Sequence, residues 1–174
     1  MPTNKSANDA LAGLAKGGEK LGLVVGGKNI EPGQYIPKAE AQTAPEISLP
    51  NAGGEYIVVS LDMDAPFPSF NLLGPIHHWT QPGFTPTTPG EAALSSGNTP
   101  FIANYIGPAP PPGSGPHRYV FFLYQQPEAF DGKAYAPPNG QTVPNMKRMR
   151  YDLDDFEQKA KLGPIVACNY FTSN

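Results

Sequence analysis

Apolar side chains along this chain fall into short runs divided by proline and glycine, and two runs stand apart. Tyr56–Leu61 is apolar on both faces of an extended chain, and His117–Gln125 carries a second dense run of aliphatic and aromatic residues. Continuous runs of this kind predict central strands covered on both sides. Side chains alternate along a strand, so His117, Tyr119, Phe121 and Leu123 share one face while Arg118, Val120, Phe122 and Tyr124 share the other. Shorter strands are predicted at Lys20–Val25, at Ala44–Pro50 with Ile47 and Leu49 on one face, and at Ile76–Trp79. Gly26-Gly27-Lys28-Asn29 is a turn, Pro32-Gly33 divides Ile30–Ile36 into two edge segments, and Ile165–Phe171 is a last strand or a tail over the core.

Helical spacing occurs twice. Asn8–Ala15 places Leu11, Leu14 and Ala15 on one stripe, a short surface helix stopped by Gly17-Gly18. Asp152–Lys161 is the stronger helix, with a capping aspartate, the stripe Leu153, Phe156 and Ala160, and Gly163-Pro164 beyond. Between Trp79 and Pro100 the chain is polar and turn-rich and reads as a long surface excursion. Many short strands joined by turns give a mainly β fold with peripheral helices.

Length and composition narrow the picture further. The 174 residues suit a single domain, 1–174, long enough to bury about 70% of its unfolded surface. The 19 glycines and 22 prolines separate compact apolar runs, which favours turns over disorder. A net charge of −3 gives no footprint for nucleic acid. Lys147-Arg148-Met149-Arg150 runs straight into Asp152, Asp154 and Asp155, and reads as a solvated surface turn. The single cysteine, Cys168, lies in an apolar run and reads as a small buried hydrophobe. Met1–Gly18 has no signal-peptide core and no stretch approaches a membrane span, so a soluble cytoplasmic protein is expected.

Candidate chemistry gathers in two places. Asp62 and Asp64 follow the first central strand, and residues two apart project the same way while the chain stays extended, so both carboxylates are expected in one hollow. All three histidines lie nearby in sequence or at the second motif: the adjacent pair His77-His78, and His117 in Gly113-Ser114-Gly115-Pro116-His117-Arg118-Tyr119. His77 and His78 must face opposite sides of a strand, so one belongs to a shared site and the other is structural. His117 and Tyr119 line one wall together. Protonated imidazoles beside carboxylates suit an anion, and N–H groups of the Gly113-Ser114-Gly115 turn would add donors. No ligand spacing predicts a metal, no Lys-Ser/Thr follows the glycines as in a phosphate-binding loop, and no elbow activates Ser114.

Asp62-Met63-Asp64-Ala65-Pro66 followed by His77-His78-Trp79 resembles the first signature of the phosphatidylethanolamine-binding protein (Raf kinase inhibitor protein-like) family. Gly113–Phe121 resembles its second, and Lys161–Phe171 is similar to the carboxy end of fungal members. The resemblance implies a mainly β domain with a large central sheet, a smaller sheet and peripheral helices. It implies a small anion pocket formed by Asp62, Asp64, Pro66, His78, Pro110, Pro111, His117 and Tyr119, with Ala65–Pro66 cis and no cofactor. It chooses His78 over His77. Met63, Phe67-Pro68-Ser69-Phe70, Ile76 and Ala109 depart from the family pattern, and Phe67 and Phe70, gained where the family commonly carries Ser-Arg, are expected to make the pocket's rim more apolar.

Two functions are compatible with these residues. One is a binding protein for a phosphate- or carboxylate-bearing ligand, whose surface regulates a protease such as a serine carboxypeptidase, or a protein kinase. The other is an enzyme of fungal secondary metabolism, in which Asp62, Asp64, His78 and His117 move protons during isomerisation, epimerisation, dehydration or cyclisation.

Overall fold

The computed structural model describes residues 2–70 and 72–174. The strands are β1 (Gly22–Val25), β2 (Lys28–Asn29), β3 (Gln34–Tyr35), β4 (Glu46–Ser48), β5 (Tyr56–Asp62), β6 (Ile76–Pro86), β7 (Ala93–Ser95), β8 (His117–Gln125) and β9 (Ile165–Ser173). The helices are α1 (Lys5–Ala15) and α2 (Leu153–Ala160). The strands form one ribbon in the order β2-β1-β4-β7-β6-β5-β8-β9-β3. Every pairing is antiparallel except that of β3 with β9.

The strand β6 joins a large sheet to a smaller one. Its first part pairs with β5 and its end, Thr85-Pro86, pairs with β7. The expected surface excursion therefore begins later than the composition suggested, because Thr80–Phe84 stay buried in the sheet. A bulge makes this possible: Tyr56 pairs with Phe84 and Val58 with Gln81, so Pro82 and Gly83 together oppose Ile57 alone. Gly83, at φ +81°, donates its N–H to Gln126 Oε1 at 2.9 Å, and Gln81 Nε2 donates to the Thr99 and Pro82 carbonyls. Polar residues here satisfy an interrupted ladder instead of facing water.

The ribbon curls until its two sides touch. Lys20 bridges Cys168, Leu21 donates its N–H to the Cys168 carbonyl at 3.1 Å, and buried Asn169 donates to the Leu21 and Ile30 carbonyls. Inside the curl, Leu23, Ile47, Trp79, Phe121, Leu123 and Phe171 form one core. On the other face, Ile57, Val59, Leu61 and Phe122 pack against Leu153 and Phe156 of α2. That helix starts where expected, with Asp152 accepting the Asp155 N–H at 3.0 Å. Its end is set by left-handed Lys161, not by Gly163.

All seven residues of β5 are buried, so this strand and β8 connect two cores. Leu61→Ala and Leu123→Ala, on opposite faces, should each destabilise the fold by about 2–5 kcal/mol, because both side chains are fully buried. Urea titration should show the midpoint falling for both variants at unchanged slope; a near-neutral result for either would mean that its face is not core.

Candidate functional site

The site lies where β5 ends, β6 begins and β8 begins. Asp62 pairs across the ladder with Ile76 on one side and Tyr119 on the other. His117 lies two residues from Tyr119 on the same face, so its ring reaches the carboxylate. His117 Nδ1 stands 2.8 Å from Asp62 Oδ2. The other carboxylate oxygen, Oδ1, accepts the Asp64 backbone N–H at 2.9 Å. Both oxygens of a nearly inaccessible carboxylate are thus occupied, as burial of a charge requires.

A second bulge aims His78. Ser60 pairs with Trp79 and Leu61 with His77, leaving His78 as the additional residue on β6. His77 turns outward, stacks on Tyr151 at 4.0 Å and bonds Thr80 Oγ1 through Nε2 at 2.6 Å. His78 turns inward, edge-on to Tyr119, and its Nδ1 lies 2.8 Å from the Ile106 carbonyl. A carbonyl only accepts, so Nδ1 carries the proton and Nε2 of the neutral ring is an acceptor.

A cavity of about 230 Å³ opens among these groups, walled by apolar Leu73, Ile76, Ile106 and Met149. Asp62, Pro66, His78, Pro110, Pro111, His117 and Tyr119 all line it. The Ala65–Pro66 bond at its edge is cis, as is Gly74–Pro75. A larger hollow of about 530 Å³ between β4 and β7 carries Glu46 as its only charged lining residue.

Asp64 is the expected residue that the fold takes elsewhere. The regular strand ends at Asp62, and the turn closed on Asp62 Oδ1 breaks the alternation that would have kept the two carboxylates together. Asp64 instead receives the Arg118 backbone N–H and a two-pronged guanidinium contact, with Nε and Nη2 at 2.8 and 2.7 Å. It does not line the cavity. The Gly113-Ser114-Gly115 turn is also outside it, and the Ser114 N–H is used on the Pro111 carbonyl.

Arg148 corrects the reading of the basic turn. It is fully buried, at 0% exposure, and lines the cavity. Its Nε donates to the Val143 carbonyl, Nη1 to the His77 and Asn104 carbonyls, and Nη2 to Asn104 Oδ1 at 2.6 Å. Apart from nearby Val143 those acceptors come from remote parts of the chain, so no local pattern separates Arg148 from its exposed neighbours Lys147 and Arg150. The apolar walls Leu73 and Met149 and the polar Asn145 were missed for the same reason.

The three histidines titrate differently. Burial, reinforced by the Arg148 charge, pushes His77 down to about 3. Burial also holds His78 below the ordinary imidazole value, against the Ile106 hydrogen bond and the Asp62 charge. Burial acts in the same direction on His117, but the Asp62 hydrogen bond and charge outweigh it and raise this imidazole. Burial first, then the Asp62 charge, raises Tyr119, which stays a phenol and a donor. His117 Nε2 and the Tyr119 hydroxyl are buried with no partner at full hydrogen-bond geometry among the described residues, although the Pro66 backbone acts weakly on His117 and the Ala109 backbone on Tyr119. Among those residues no three His, Cys, Asp or Glu side chains gather as a metal set, and no helix is long and apolar enough to cross a membrane.

Comparison with known proteins agrees with this architecture. The chain is 28% identical over 160 residues to the phomoidride biosynthesis cluster protein N of Talaromyces stipitatus, covering 83% of this chain and 78% of the relative. It is 33% identical over 115 residues to the carboxypeptidase Y inhibitor of Saccharomyces cerevisiae, covering 58% of this chain and 48% of that protein. The match thus spans about half of the inhibitor's length. The crystal structure of a carboxypeptidase Y inhibitor complexed with its cognate proteinase superposes with a TM-score of 0.70 at 23% identity, over 88% of this chain and 82% of that one. The mainly β fold with a large and a smaller sheet is therefore shared. The profile described as phosphatidylethanolamine-binding protein matches residues 26–171, and the chain belongs to that family.

Proposed function

We propose that the cavity binds a small organic anion, a carboxylate or a phosphate-bearing group, on His117 and Tyr119. The observation that carries this reading is the pair of buried, unpartnered polar atoms, His117 Nε2 and the Tyr119 hydroxyl, on one cavity wall. Each unsatisfied buried group costs about 1–3 kcal/mol, which an acceptor placed between them would recover. Asp62 fixes His117 Nδ1 as the donor toward itself, so a second proton on the ring sits on Nε2 of a side chain that lines the cavity. Pro66, Pro110 and Pro111 shape the walls, and His78, held neutral, offers an acceptor to the ligand's organic part. A volume of about 230 Å³ limits the enclosed portion to a small group.

The sign of the pH dependence follows from His117. Its raised value means that the protonated, donating form persists above the ordinary imidazole range and is lost as pH rises through that value. Dimethyl phosphate is a useful probe because its single charge is constant. Its affinity by calorimetry should fall about tenfold or more between about pH 5.5 and 8.5, as a charge-assisted hydrogen bond is lost. A flat profile would sink the reading.

A second reading is favoured by the same dyad. A carboxylate orienting an imidazole in a cavity wall, with the other ring nitrogen unpartnered, is what general acid–base catalysis needs. The relative from a phomoidride biosynthesis cluster, covered over 78% of its length, adds weight to a role in fungal secondary metabolism. On this reading Asp62 orients and His117 moves the proton during an isomerisation, epimerisation, dehydration or cyclisation. Asp64 has no place at the reacting atoms because it is bound to Arg118. A carboxylic acid bound in D2O should then exchange its α-hydrogen, followed by NMR, with His117→Ala slowing exchange about 10²–10⁴-fold. Absence of exchange from a demonstrably bound acid would remove catalysis of this type.

A protein partner would use surface outside the cavity. The 33% identity with the carboxypeptidase Y inhibitor favours a serine carboxypeptidase over a kinase. Inhibition of carboxypeptidase Y by this chain, unchanged by His117→Ala, is the expected result. No inhibition at high excess would dismiss that partner.

A further inference from the structure

Among the described residues Arg148 is the largest fully buried side chain, yet no carboxylate there pairs with it. Its guanidinium has five N–H groups. The Val143, His77 and Asn104 carbonyls and Asn104 Oδ1 engage four of them, with the His78 carbonyl a distant extra acceptor at 3.5 Å. One Nη2 N–H has no acceptor among the described residues. Carbonyls satisfy hydrogen-bonding capacity but carry no net charge, so the guanidinium remains a buried cation without a counter-ion. Such a charge is expensive unless an anion accompanies it.

The cavity that Arg148 lines is the place for that anion. The charged or titratable groups facing the cavity are few. Asp62 contributes one negative charge from the end of β5, and Arg148 one positive charge from the turn before α2. His117 contributes one positive charge when protonated, while His78 and Tyr119 are neutral. Behind the wall, His77 is neutral and Asp64 is compensated by Arg118. With His117 protonated the sum is one positive charge.

We propose that Arg148 is half of an ion pair whose other half is the bound ligand, so that the cavity selects a singly charged anion. This rests on the anion-binding reading above and adds the charge of the ligand and the residue that sets it. A carboxylate or a phosphodiester neutralises the cavity. A phosphomonoester dianion overshoots by one charge in a largely apolar cavity, where uncompensated charge is costly. The apolar walls Leu73, Ile76, Ile106 and Met149 suit the carbon skeleton of a monoanionic organic acid or ester.

Calorimetry with three methyl phosphates tests this at pH 7. Dimethyl phosphate is a monoanion, trimethyl phosphate is its neutral analogue, and methyl phosphate is mostly a dianion, its second ionisation lying near about 6. In the unmodified protein dimethyl phosphate should bind more tightly than either, and about tenfold or more above the neutral ester. Arg148→Lys keeps the charge and should keep this preference. Arg148→Gln keeps N–H donors for the carbonyls but not the charge, and should reduce the preference to about twofold or less. A folded Arg148→Gln protein that retains the full preference would overturn the proposal and leave anion binding at His117 intact. Should neither variant fold, the order of affinities in the unmodified protein decides, since tighter binding of methyl phosphate overturns the monoanion rule. If no phosphate ester binds at all, the anion-binding reading fails first and this inference falls with it.

Discussion

The hydrogen bond between Asp62 and His117 ties the end of β5 to the start of β8 between two side chains with almost no solvent exposure. A buried carboxylate is stable only when its oxygens are occupied, and removing one partner of such a pair costs about 3–5 kcal/mol. Asp62 meets the condition with a side chain on one oxygen and a backbone N–H on the other. The second of these contacts turns the chain out of the sheet. One residue therefore ends the strand, starts the turn that carries the cavity's proline edge, and orients the imidazole that faces the cavity.

Around that bond the protein separates three histidines by environment alone. His77 is stacked on Tyr151 and hydrogen-bonded to Thr80, and burial beside Arg148 makes it neutral at any working pH. His78 is neutral because burial outweighs the Ile106 carbonyl and the Asp62 charge, which both pull the other way. His117 alone has a carboxylate partner, and alone is raised. The cavity thus presents a titrating donor, a phenol and a fixed acceptor in a mostly apolar shell. Arg148 lines the cavity, where it satisfies one nearby carbonyl and carbonyls from two remote segments and biases the cavity's charge. Structural and electrostatic roles coincide in that one side chain.

Much of the frame was legible along the chain. The double-faced apolar run at Tyr56–Leu61 could only be a strand between two cores, and the alternation along His117–Gln125 assigned each side chain to the face it occupies. The capping aspartate and apolar stripe marked α2, and the opposed faces of His77 and His78 followed from strand geometry. Local reading failed where a bulge or a remote partner intervened. The polar Gln81, Pro82 and Gly83 looked like loop, because their partners Gln126 and Thr99 lie far along the chain. Asp64 left the hollow because the alternation rule lapses once the chain turns. Arg148 looked solvated because charge counting sees neighbours in sequence and not the carbonyls that enclose it.

The sequence by itself thus determined the strand pattern, the two-sided burial of the centre and the cluster from which Asp62, His117 and Tyr119 are drawn. These depend on short-range periodicity, which survives in a linear string. The tertiary structure alone decided that the cavity holds one carboxylate and not two, and that a guanidinium lies in its wall. It also decided which polar atoms were left without partners. Those outcomes depend on sheet curl, bulges and contacts between residues distant in sequence, where burial turns an ordinary surface charge into the dominant local one.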